Sequence, residues 1–196
     1  MKGFSLVAAA LFMAVAALAL YRPSLSGPFL YDDLSVVTDR GPVYSGDLFR
    51  DLAEIWKSRR SVSVATFAAN HALHGYDTLG YHLVNVAVHA LAGFFLFLFL
   101  RATLLFPTEK TRKDSAAWAA FLGALLWLAH PLATQSVSYV IQRMNALAAL
   151  FFLACLFFYA QARLAGPGRG KTIRFAVSGA CGLLALGSKE NAATLP

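Results

Sequence analysis

The chain has 196 residues, of which 58% are hydrophobic and only 14% charged, with a formal net charge of +7. That balance excludes a soluble domain of this size, which would need a polar shell around its apolar interior. It also speaks against nucleic-acid binding, because the basic residues sit at the ends of apolar runs rather than on one face of a folded domain.

The first predicted element is a membrane span over 4–20, preceded by Lys2. It reads as a signal peptide or a retained anchor, and the length of its apolar run favours the anchor. Residues 21–80 form the long polar stretch and hold seven of the ten acids: Asp32, Asp33, Asp39, Asp47, Asp51, Glu54 and Asp77. Inside it, Leu48, Leu52, Ile55 and Trp56 have the spacing of an amphipathic helix over 48–58, suited to a membrane interface. Further spans are predicted over 81–106, 116–129, 137–164 and 173–186. Hydrocarbon leaves such runs little choice but helix, so the expected fold is an all-α polytopic membrane protein with about five transmembrane helices. Cys155 and Cys181 fall inside apolar runs and read as small core residues.

The connections after the second and fourth spans carry Lys110, Arg112, Lys113, Arg169 and Lys171, with Glu109 and Asp114 against them. The positive-inside rule then makes the N-terminus cytoplasmic. The acid-rich stretch, His130 with Pro131, and Lys189 with Glu190 are all expected to face outward.

Several polar residues stand where hydrocarbon should exclude them. His82, Asn85 and His89 lie at i, i+3 and i+7 and share one helical face. They read either as interhelical hydrogen-bond glue or as the wall of a wet cavity. Arg143, with Gln142 and Asn145 beside it, either snorkels to the interface or offers its fork of donors to a phosphate or carboxylate. Asp32 and Asp33 follow a Gly-Pro-Phe-Leu-Tyr run close to the first span. They read as a solvated turn or as carboxylates whose partial desolvation would raise a pKa toward that of a useful base, or which hold a divalent cation. Two tempting motifs fail. The Gly-rich run at 166–172 has one residue too few for a phosphate-binding loop and follows no strand. His71 and His74 have metal-like spacing but no evident third ligand.

Taken in order, the short motifs at 29–33 (Phe-Leu-Tyr-Asp-Asp), 80–85 (Gly-Tyr-His-Leu-Val-Asn) with His89, 130–137 (His-Pro-Leu-Ala-Thr-Gln-Ser-Val), 140–143 (Val-Ile-Gln-Arg) and 188–191 (Ser-Lys-Glu-Asn) resemble the membrane part of the GT-C glycosyltransferases. The likeness is to the O-mannosyltransferase-like spans that relatives join to tetratricopeptide repeats, and it runs from about Phe29 to the C-terminus. The resemblance implies a sugar donor linked to a polyprenyl phosphate and a hydroxyl acceptor on an exported protein. Carried over, Asp32 becomes the candidate base, with Asp33 supporting it or binding a cation. Arg143 and His130 would meet the donor's phosphate, and His82, Asn85, His89, Gln135, Lys189 and Glu190 would line the same cavity. Gln135 and Asn145 stand where many such proteins carry acids, which weakens the case for a cation.

The resemblance further implies a multi-pass protein of the cytoplasmic (inner) membrane, in contact with lipid. The chain is expected to be one membrane domain, with partner spans supplied by further sequence or a second chain. The rival readings are a non-catalytic module serving assembly or lipid binding, and a small transporter with a polar path through His82, His89 and Arg143. No inverted repeat supports the transporter.

Overall fold

A computed structural model describes residues 5–34, 37, 48–105 and 113–195. Lys2, Asp39, Asp47, Glu109, Lys110 and Arg112 lie outside the described residues. Every regular element described is helical. Helix α1 spans Leu6–Tyr21, α2 Leu48–Lys57, α3 Ser61–His74, α4 Thr78–Leu105, α5 Lys113–Leu128, α6 Ala133–Ser138, α7 Arg143–Leu164 and α8 Arg169–Ser188. The all-α membrane architecture read from the sequence is therefore present, including the amphipathic helix α2 in the acid-rich stretch. Among the described residues, three segments are long and apolar enough to cross a membrane: Leu6–Ser26, Thr78–Leu105 and Val140–Leu164. The third and fifth predicted spans fall on the shorter α5 and on α8.

Packing explains the order of helices around α4, which lies against α1, α5 and α7, while α7 lies against α8. Small residues let the backbones approach. Ala9, Met13, Ala17 and Tyr21 of α1 bury themselves against Val86, Ala90 and Phe97 of α4 and Ala120, Phe121 and Ala124 of α5. Val88 and Ala92 of α4 meet Ala146, Leu147 and Leu150 of α7. Outside this seam the large side chains turn outward, with Leu11 62%, Val15 66%, Leu126 73% and Leu183 72% exposed. In water that surface would drive aggregation, whereas in lipid it faces its natural solvent.

Two features were not anticipated. First, α3 folds back over one end of the bundle. Ser63 Oγ donates to the carbonyl of Ser188 at 2.9 Å, and Arg60 Nε donates to both carboxylate oxygens of Glu190 at 3.1 and 3.0 Å. Second, the span expected over 137–164 is broken. Helix α6 ends at Ser138, Tyr139 is extended (φ −93°, ψ 117°), and a short 3-10 turn over Val140–Gln142 leads into α7. The break exposes carbonyl groups that a continuous helix would satisfy. Asn85 on α4 meets that need, donating through Nδ2 to the carbonyls of Val137 at 3.1 Å, Val140 at 3.3 Å and Tyr139 at 3.5 Å. Irregular backbone in a membrane protein persists where such partners exist.

Candidate functional site

The acidic turn and the helix break form one assembly. Asp33 is buried, and its carboxylate accepts the backbone N–H of Leu30 at 3.0 Å through Oδ2 and that of Ile141 at 2.7 Å through Oδ1. Desolvation pushes its pKa above the ordinary aspartate value, although the backbone donors and His82 pull the other way. Asp32 points outward and is exposed, while its backbone N–H donates to the Tyr139 hydroxyl at 3.2 Å. The two neighbouring acids thus divide their work. One holds the turn, and the other is left accessible.

Arg143 is fully buried rather than presented to a ligand. Its Nε donates to Asn85 Oδ1 at 2.7 Å and its Nη2 to Asn70 Oδ1 at 2.7 Å and the Tyr81 carbonyl at 3.0 Å. Its Nη1 donates to the Thr66 carbonyl at 3.3 Å, and the guanidinium lies 4.5 Å from the Phe67 ring centroid. The planar fork joins α3, α4 and α7, a geometry that a lysine ammonium would not reproduce. The expectation that Arg143 meets a donor phosphate is corrected on this ground, because these oxygens and rings enclose its charge.

The polar face of α4 is likewise mostly interior. Asn85 is fully enclosed, and His82 is 1% exposed with Nε2 donating to the Gly27 carbonyl at 3.1 Å. His89 Nε2 donates to the Leu128 carbonyl at 2.9 Å. Of the three, His89 also lines a cleft of about 370 Å³ with Trp127, His130, Ser136 and Asn145. His82 and Asn85 therefore act as interhelical connectors rather than as cavity wall.

An adjoining cleft of about 280 Å³ shares Trp127 and Asn145 and adds Asn191 and Thr194. Asn145 joins the two. Its Nδ2 donates to Gln142 Oε1, and its Oδ1 accepts from Asn191 Nδ2 at 3.3 Å. His130 is exposed at the first cleft. Gln135 is exposed outside the lining of both clefts, as are Asp32 and Glu190, while Lys189 is half-buried nearby. Desolvation lowers the Lys189 pKa, with Arg60 adding to the effect. Glu190 is held below the usual carboxylate range by a backbone hydrogen bond first and by Arg60 second.

The acidic turn does not fit a divalent cation. Both Asp33 oxygens already accept backbone N–H groups, and no three His, Cys, Asp or Glu side chains gather among the described residues. Sequence reasoning missed Asn70, Thr66 and Tyr139. Val64, Phe67 and Ala68, at helical spacing, were the available signal for α3 and hence for Asn70.

Residues of the chain align with protein O-mannosyl-transferase TMTC3 of Mus musculus at 29% identity over 161 residues, covering 76% of this chain and 16% of that protein. Protein O-mannosyl-transferase TMTC2 of Homo sapiens is 31% identical over 155 residues, 72% of this chain and 17% of that protein. TMTC4 of Mus musculus is 30% identical over 163 residues, 74% and 22% respectively. The chain is an O-mannosyltransferase-like membrane region. It spans between 16% and 22% of the length of these curated relatives. No family model and no solved structure matches the chain. With its apolar helices, the relationship makes it a multi-pass membrane protein.

Proposed function

We propose that this region is the N-terminal core of a membrane glycosyltransferase that moves a sugar from a polyprenyl phosphate to a hydroxyl group of an exported protein. The observation that carries the reading is the alignment with protein O-mannosyl-transferases, together with an exposed carboxylate on a clamped turn. In the proposed reaction, Asp32 takes the proton of the acceptor hydroxyl. The hydroxyl oxygen attacks the anomeric carbon as the bond from that carbon to the lipid phosphate breaks, and the phosphate leaves with the electron pair. Asp33 is a positioning residue that fixes the turn. His130, at the cleft mouth, is the side chain offered to the leaving phosphate, where a hydrogen-bond donor aimed at the developing charge lowers the barrier. Arg143 acts at one remove, by fixing α3 and α4 against α7.

In the proposed orientation, which the basic connections support, the N-terminus is in the cytoplasm and the acidic turn is outside. The test is Asp32→Asn in the native host, following hexose addition to exported proteins by mass spectrometry. Loss of modification with normal membrane abundance is expected. Unchanged modification overturns the base assignment.

A further inference from the structure

At the other end of the bundle lies a further opening of about 520 Å³, lined by Leu98 and Arg101 of α4, Phe157, Phe158 and Gln161 of α7, and Arg174 of α8. It is far from the clefts described above. Arg101 comes 12 residues after His89 on α4, which places it about 18 Å further along the helix axis at 1.5 Å per residue. Gln161 comes 16 residues after Asn145 on α7, about 24 Å further along.

The chemistry of this opening is unlike that of the first. Among the described residues no acidic side chain lines it, and it holds two guanidinium groups against aromatic and aliphatic walls. Arg101 sits near the end of a long apolar span, and its Nε is buried with no hydrogen-bond partner among the described residues. Arg174 reaches in from the first turns of α8, its Nη1 donating to the Gln161 carbonyl at 3.4 Å. Arg169, the first residue of α8, is exposed and adds positive potential at this end of the bundle. A buried donor of this kind calls for an acceptor, and an arginine fork suits phosphate oxygens. The apolar walls at the end of a span suit hydrocarbon rather than water.

We propose that this cleft binds the phosphate of an anionic phospholipid from the adjacent leaflet, with Arg101 and Arg174 on the head group and an acyl chain along Phe157 and Phe158. The inference does not depend on the glycosyltransferase reading, since none of these residues belongs to the acidic turn or its clefts.

The test uses the full purified chain, delipidated in detergent and offered equal phosphatidylglycerol and phosphatidylcholine, with retained lipid counted by native mass spectrometry. Phosphatidylglycerol should be retained in preference. Each arginine near an anionic head group contributes on the order of a fivefold gain, so the paired R101Q and R174Q substitutions should lower retention about 25-fold. The charge-preserving pair R101K and R174K should stay within about fivefold of the parent, which separates binding from misfolding. R163Q, in a different groove, should leave retention unchanged. Equal retention of both lipids, or an R163Q loss as large as that of the pair, overturns the proposal. Full displacement of the lipid by inorganic phosphate at matched concentration would mark a free-anion site and also overturns it.

Discussion

Arg143 Nε lies 2.7 Å from Asn85 Oδ1, and the same amide turns its Nδ2 toward the carbonyls of the helix break. The oxygen and nitrogen of one side chain therefore serve different masters. Arg143 fixes the amide's orientation, and the oriented amide supplies the donor that the broken backbone lacks.

Removing the guanidinium strands several buried acceptors at once. Arg143→Gln is expected to cost about 3–5 kcal/mol of stability, because Asn70, Tyr81 and Thr66 lose their donor inside the protein. Arg143→Lys keeps the charge but not the fork, and should cost about 1–3 kcal/mol. Unfolding by denaturing detergent in mixed micelles measures both, and equal stability of all three proteins would refute the role.

Asn85→Ala leaves three carbonyls without their side-chain donor. Membrane-protein hydrogen bonds of this kind are individually modest, so a loss of about 1–2 kcal/mol is expected. The sharper readout is local. Backbone amides over 139–143 should exchange with deuterium faster than in the parent, while those in the middle of α7 stay protected.

Asp33 gives a pH signature. Burial holds its pKa above the ordinary 3.8, so folding favours the protonated form. Its contribution to stability is fully present below that value and is lost as pH rises through the folded pKa. Asp33→Asn should flatten this part of the stability profile. It should also cost about 1–3 kcal/mol, since an amide NH₂ must then face one of the two backbone donors. A stability profile as steep as the parent's would show that another group titrates there.

At Glu190 the sign is reversed. Its lowered pKa adds stability above the unfolded value that is lost as pH falls through the folded one. Arg60→Gln should raise the Glu190 pKa part of the way back, because the backbone hydrogen bond remains. Side-chain carbon NMR reads the shift, and stability should not change measurably, as this pair is exposed.

Gly80→Ala probes the elbow between α3 and α4. A Cβ there would lie 2.5 Å from His74 Cγ, too close for the ring to stay where it is. Overpacking of this kind costs about 1–3 kcal/mol. A melting temperature equal to the parent's would show that the elbow can yield.

Much of this arrangement was legible in the sequence, for identifiable reasons. Residues His82, Asn85 and His89 declared a common face through helical periodicity, and all three are buried. The amphipathic spacing around Ile55 marked α2, where Ile55 packs on Val64 and Trp56 stays exposed. The break at Tyr139 was not legible, since no proline or glycine announces it. It is sustained by Asn85 and Asp33, which lie more than fifty residues earlier in the chain. The fate of Arg143 was hidden for the same reason. Its acceptors come from α3 and α4, and sequence proximity shows only Gln142 and Asn145.

Because Ile141 N–H donates to Asp33 and Asp32 N–H donates to the Tyr139 hydroxyl, the two stretches of chain at the break are coupled like a latch and its keeper. Neither the short 3-10 turn nor the acidic turn can shift alone without losing these two bonds.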